Sequence, residues 1–164
     1  MKKLREEDKE LFIRYVDFIE GEMEDYPSFA GLDWETYESK KEERRNVERW
    51  IENIVNSSID IAKLILVFEK KRIPQTYREI LHGLGKTKYF DSKFGERISK
   101  WSKLRNILAH EYLDIKWDVI KEFIDGSEPD YKHLVRVVKH SLLDNKIDNK
   151  IDNKLDNKDN KQDK

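Results

Sequence analysis

Three side chains in the stretch WSKLRNILAHEY, residues 101–112, are the most chemically suggestive in this chain: Arg105, His110 and Tyr112, at the spacing R-x4-H-x-Y. A permanent cation with a planar fork, a group that titrates near neutral pH and a phenol can together bind phosphate and move protons. Four free positions between arginine and histidine make the bare pattern permissive, so the elements that carry it decide its weight.

The residues around the pattern predict a helix starting near Phe94 and running through it. With Trp101 at 0° and about 100° per residue, Leu104, Ile107 and Leu108 fall at about 300°, 240° and 340°, which is the buried face. His110 falls at about 180°, on the polar side with Ser99, Lys103 and Asn106. Arg105, at about 40°, is then about 140° from His110, too far for both to meet easily at one small group from the same helix. Either the helix loosens near His110 or a second copy of the chain completes the site. Tyr112 would face the core in a continuous helix, but Asp114 reads as the N-cap of a new helix at Lys116 and leaves Tyr112 accessible at a helix end.

The remaining elements read as helices too. Apolar residues from Lys3 to about Met23 recur every three or four positions, and Pro27 and Gly31 interrupt the next segment. Asp33 can cap a short turn through Tyr37; Trp34 and Tyr37 read as a patch closing one end of a bundle. The clearest helix spans about Arg44 to Lys70, with Val47, Ile51, Ile54, Ser58, Ile61, Ala62, Ile65 and Phe68 in one stripe. Asn53, Asn56, Ser57 and Asp60 share another face: a solvated row, or, through Asn53 and Asp60, one wall of a functional cleft. Pro74 is expected to end this helix, and Thr76-x-x-Glu79 is a capping box that starts the next. His82 reads as a surface or packing histidine. Trp117, Ile120, Phe123 and Ile124 mark a short packing helix. Ser127 followed by Pro129 reads as a cap before a last helix that buries Tyr131, Leu134, Val135, Val138 and Leu142. His133, Arg136 and His140 on its other face read as a solvated basic edge.

Composition bounds the function classes. Lys plus Arg total 33 against 34 Asp plus Glu, a net charge of −1, so no bulk electrostatic pull on nucleic acid exists and RNA contact would need a local basic patch. The absence of cysteine excludes disulfides and thiolate metal sites. No apolar run approaches a membrane span and MKKLREEDKE lacks an apolar signal core, so a soluble, cytoplasmic protein without membrane association is expected. His110-Glu111 opens like H-E-x-x-H, but Asp114 stands at the fifth position, and no metal or cofactor is expected. Phosphate-cradling glycine loops and serine-hydrolase elbows are missing. Residues 1–143 form one domain; 144–164, built from DNK repeats, read as a mostly disordered low-complexity tail.

RNILAHEYLDI from Arg105, the upstream PQTYREILHGLG, SSIDIAKLIL and GLDWETYE resemble, in order over roughly residues 5 to 143, the HepT-like (DUF86) branch of the HEPN superfamily. The resemblance implies an all-α antiparallel helical bundle, four-helix-type with short extra helices, that pairs into a homodimer with arginine and histidine of both copies facing a cleft. It further implies an RNA-cleaving toxin of a type VII-like toxin–antitoxin pair, silenced when a minimal nucleotidyltransferase antitoxin transfers AMP onto the motif tyrosine. By position the catalytic roles go to Arg105 and His110 and the modification to Tyr112, with Asn106 and Asp60, and Asn53 on the cleft reading, as supporting residues.

Physical chemistry agrees with this expectation. Metal-independent RNA cleavage needs a base for the 2′-OH, an acid for the leaving 5′-oxygen and positive charge at the phosphate, and it leaves a 2′,3′-cyclic phosphate. Two copies of His110 and Arg105 supply these, and a shared site removes the 140° conflict. DNA is not expected as substrate. The reading from a different class is a non-catalytic helical module that binds a nucleotidyltransferase partner or a nucleotide.

Overall fold

The structure, a computed structural model, describes residues 4–110, 113 and 117–144. It is an all-α antiparallel bundle, in accord with the sequence, and no strand occurs among the described residues. The repeat tail lies outside them, apart from Asp144 at its start.

Helix α1, Glu6–Met23, and helix α4, Lys41–Phe68, form the long axis. They run antiparallel: Trp50 and Asn53, early in α4, reach Glu22, late in α1, through Trp50 Nε1 to the Glu22 carbonyl at 2.7 Å and Asn53 Nδ2 to the Glu22 carboxylate at 3.2 Å. The α4 stripe is buried from Val47 to Ile65, and Phe68 is partly buried at its end, so the 3.6-residue period placed this core correctly. Between them lie two short helices, α2, Tyr26–Ala30, and α3, Trp34–Ser39. Pro27 does not break α2 but occupies its first turn, where the missing N–H goes unneeded. Asp33 caps α3 as expected, its Oδ1 accepting from Thr36 N at 2.8 Å. Tyr37 is buried beside the Trp117 ring at 5.1 Å, whereas Trp34 remains half exposed.

Helix α4 ends at Phe68, six residues before Pro74, so the proline is not what stops it. Lys70 adopts φ 56°, its N–H donates to the Val67 carbonyl at 2.9 Å and the Lys71 N–H to the Leu66 carbonyl at 2.8 Å. These two bonds are the Schellman closure, which satisfies the last carbonyls of a helix and usually has glycine where Lys70 stands. Helix α5, Tyr77–Gly83, then begins at the expected cap: Thr76 Oγ1 accepts from Glu79 N at 3.2 Å and donates to the Glu79 carboxylate at 2.9 Å. A 3₁₀ turn, Leu84–Lys86, leads to α6, Ser92–Ser99.

The helix expected to run unbroken from Phe94 through His110 is two helices, α6 and α7, Ser102–His110, separated at Lys100 and Trp101. The cause is tertiary. Trp101 is fully buried, its ring 5.5 Å from Phe123 and its Nε1 donating to Asp130 Oδ2 at 3.1 Å. Asp130 also accepts from Arg97 Nε at 3.1 Å, so a single carboxylate ties both sides of the break to the last helix.

Helix α8, Trp117–Gly126, buries Ile120, Phe123 and Ile124, and α9, Glu128–Val138, buries every residue expected of it before passing into a π-turn, Lys139–Leu143, which buries Leu142. Ser127 occupies the N-cap position of α9 but does not cap it. Its hydroxyl donates to the Phe123 carbonyl at 2.6 Å and shares a 2.7 Å hydrogen bond with Tyr26. Phe123 sits among Trp50, Trp101, Tyr26 and Tyr131, an aromatic centre that joins α2, α4, α8 and α9 to the root of α7. No described helix is long and apolar enough to cross a membrane.

Candidate functional site

Helix α7 carries Arg105, Asn106 and His110 within nine residues. Its root is fixed by Trp101 and by Leu104, both fully buried, and burial declines along it until His110, at its last position, is exposed. The separation of about 140° between Arg105 and His110 thus stands on a continuous helical segment. Helix α7 does not loosen before His110, so the two side chains leave the helix in different directions.

Arg105 is half-buried, and its guanidinium carbon lies 5.5 Å from the centre of the Tyr77 ring in the first turn of α5. This is a cation–π distance. Among the described residues the guanidinium makes no hydrogen bond and no ion pair. Lys63 Nζ lies 5.9 Å from the same ring and 3.4 Å from Asp60 Oδ1. The tyrosine ring is therefore shared by two cations, one with a carboxylate partner and one with none among the described residues, and this places Asp60 one ring and one lysine away from Arg105.

Asn106 and His110 are exposed, and their side chains make no hydrogen bond to other described residues. Tyr112 lies outside the described residues, as does Asp114 with the cap expected of it.

Asn53 is set apart from Arg105. Together with Asn56, Ser57 and Asp60 it lines a groove of about 500 Å³ between α4 and α1, whose opposite wall is Leu11, Arg14, Tyr15 and Phe18. The polar row of α4 is thus a groove wall rather than open surface. Ser57 is buried in it, donating to the Asn53 carbonyl at 2.8 Å, and Phe18 is exposed at its edge. Asp60 belongs to both places, being a groove residue and the partner of Lys63.

A family model described as Ribonuclease HepT-like matches residues 19–138. The chain belongs to the HepT-like ribonuclease family. A protein of Aphanizomenon flos-aquae named tRNA nuclease HepT is 29% identical to this HepT-like chain over 134 residues, covering 82% of the chain and 86% of the relative. One of Shewanella oneidensis named mRNA nuclease HepT is 24% identical over 89 residues, 54% of this chain and 67% of that one. The solved structure of a toxin–antitoxin with AMP-PNP contains a chain that superposes with a TM-score of 0.68 at 20% identity, over 79% of this chain and 97% of that one, a likeness of fold.

The remaining histidines of the HepT-like chain stay outside the site. His133 is wedged edge-on against Phe94 and Phe90 at 4.9 and 5.9 Å, and its Nδ1 accepts from Arg136 Nη2 at 2.8 Å, which leaves the ring proton on Nε2. Burial and the charges of Arg136 and Arg97 lower its pKa, so it is a packed histidine rather than part of a solvated edge. His82 is exposed, and His140 lies 3.4 Å from Asp144. Tyr77, beside Arg105, and Lys63, beside the same ring, are neighbours that the motif does not name. Both occur inside stretches that carry the family resemblance, but the contact of Tyr77 with Arg105 spans 28 positions and has no local signal.

Proposed function

We propose that this protein is a metal-independent endoribonuclease toxin that works as a homodimer, with Arg105 and His110 of both copies at one phosphodiester. The observation that carries the reading is the division of labour on α7: an arginine fork with no protein partner among the described residues, and an exposed histidine about 140° around the same helix. One His110 takes the proton from the 2′-OH as that oxygen attacks phosphorus. The other gives a proton to the departing 5′-oxygen, and the products are a 2′,3′-cyclic phosphate and a 5′-hydroxyl. The Arg105 guanidinium groups hold the crowded phosphate. Asp60, through Lys63, and Asn106 support the arrangement; Asn53 serves the groove along α1.

The names of the two nuclease relatives, one for tRNA and one for mRNA, support RNA as the substrate class. The fold shared with a toxin–antitoxin solved with AMP-PNP accords with control by a nucleotidyltransferase partner in the cytoplasm. In that control the Tyr112 oxygen bonds to the α-phosphorus of ATP and pyrophosphate leaves, placing a bulky anion two residues from His110.

The test is incubation of purified protein with total RNA, with and without EDTA. Cleavage that survives EDTA and disappears in His110→Ala and Arg105→Ala, with the helical circular dichroism intact, is the expected result. Undiminished cleavage by His110→Ala overturns the mechanism, and absence of cleavage by the wild type at every concentration favours the non-catalytic module. Intact mass after co-expression with the partner gene reads the modification of Tyr112.

A further inference from the structure

A second concentration of positive charge lies beside α5. Lys71 and Arg72, immediately after the Schellman closure of α4, and Lys86, in the 3₁₀ turn after α5, line a groove of about 440 Å³ whose walls also include Pro74, Gln75 and Glu79. All three cations are exposed, and among the described residues none has an ion pair. The carboxylate lining the groove, Glu79, is engaged by the Thr76 hydroxyl at 2.9 Å. In a chain whose net charge is −1, three cations against one carboxylate are a local departure from the average.

Position gives the cluster its meaning. Pro74 and Gln75 lead directly through Thr76 into Tyr77, the ring against which Arg105 rests, and the whole of α5 is only about 10 Å long. The groove-lining residues of α5, Glu79, His82 and Gly83, fall on the side of the helix away from Tyr77, so a strand whose phosphate is held at Arg105 reaches the groove by passing over α5, about 10–12 Å across. Evenly exposed cations along an open groove, with apolar Leu66 and Ile73 beside them, suit a flexible polyanion rather than a single small anion.

We propose that this groove binds the backbone phosphates of single-stranded RNA flanking the scissile bond, through Lys71, Arg72 and Lys86. The proposal rests on the reading of the substrate as RNA and adds a second subsite to it. The groove supplies the local basic patch that a chain of near-zero net charge needs in order to hold RNA. It contributes to binding of long substrates and not to the bond-breaking step.

The test uses full-length protein carrying His110→Ala, so that a fluorescent single-stranded RNA stays intact while its dissociation constant is measured against salt. Replacing Lys71, Arg72 and Lys86 together by Gln is expected to weaken binding about tenfold or more and to lower the salt slope by about two, at roughly 0.7 per phosphate contact on a single strand. Glu79→Gln keeps the capping box and should tighten binding. With His110 restored, the triple variant should cleave a dinucleotide at the wild-type rate and a long RNA with raised KM. Unchanged affinity and slope in the triple variant, or unchanged binding in Glu79→Gln, overturns the proposal. So does RNA binding that stays intact while capture of an acidic partner protein is lost. Groove-dependent RNA binding by a wild type that never cleaves would sink the nuclease reading and leave the groove standing.

Discussion

The Arg105 guanidinium lies 5.5 Å from the centre of the Tyr77 ring, and among the described residues that ring is its neighbour in place of any carboxylate. An arginine salt-bridged to Asp or Glu would have to break that pair to take a phosphate. One resting on an aromatic face is held in place while all its N–H donors stay available.

Removing the ring should therefore cost activity without costing affinity for RNA in proportion. Tyr77→Leu is expected to lower kcat about fivefold, the equivalent of about 1 kcal/mol of cation–π support, while Tyr77→Phe, which keeps the face, retains the wild-type rate. Steady-state kinetics on one RNA checks this; equal losses in the two variants would assign the role to the hydroxyl instead.

Lys70 sits at φ 56°, where a side chain costs about 1–2 kcal/mol relative to glycine, partly offset by the entropy glycine loses on folding. Lys70→Gly should raise stability by about 0.5 kcal/mol, visible as a higher urea midpoint at unchanged slope.

Two glycines inside helices should respond to alanine in opposite directions. A Cβ on Gly95 would lie 2.6 Å from the His82 carbonyl oxygen and 2.9 Å from Gly85 N, both backbone atoms, so Gly95→Ala forces α5 and α6 apart at about 2–3 kcal/mol. Gly21 has open space around it in α1, and Gly21→Ala should stabilise by about 0.5–1 kcal/mol. Chemical denaturation of both variants tests the pair.

The packing of His133 makes stability depend on pH. Its pKa is lowered in the folded state by burial and by the Arg136 and Arg97 charges, against which Asp91 and Asp130 act in the other direction. The unfolded chain therefore binds the extra proton first. The contribution is fully present above the ordinary histidine pKa of about 6.5 and is lost as pH falls from there through the lowered folded value. His133→Gln should be less stable than wild type at pH 7.5, with the gap narrowing at pH 5.5. A gap that widens toward acid would reverse the sign.

Much of the bundle was legible because its signals are local. The α4 stripe, the Asp33 cap, the Thr76–Glu79 box and the α9 core depend on residues at most one turn apart, and the outward position of His110 comes from the same period. The features that escaped depend on distant partners. Nothing in SKWSK signals a break, which comes from the Trp101 indole reaching Phe123 and Asp130. The end of α4 was misplaced because Lys70 takes the left-handed position usually given to glycine, and Ser127 fails to cap α9 because Tyr26, far earlier in the chain, occupies its hydroxyl. For the same reason the motif pointed to Arg105 and His110 but not to Tyr77.

The separation of α6 from α7 at Trp101 has a mechanical consequence. Burial falls along helix α7 from its root, set in the aromatic centre, to exposed His110. On the proposed mechanism the two ends then have different tasks: Arg105, near the packed root, gives the phosphate a fixed address, while the exposed side chain of His110 tracks an oxygen whose position changes as one bond forms and another breaks.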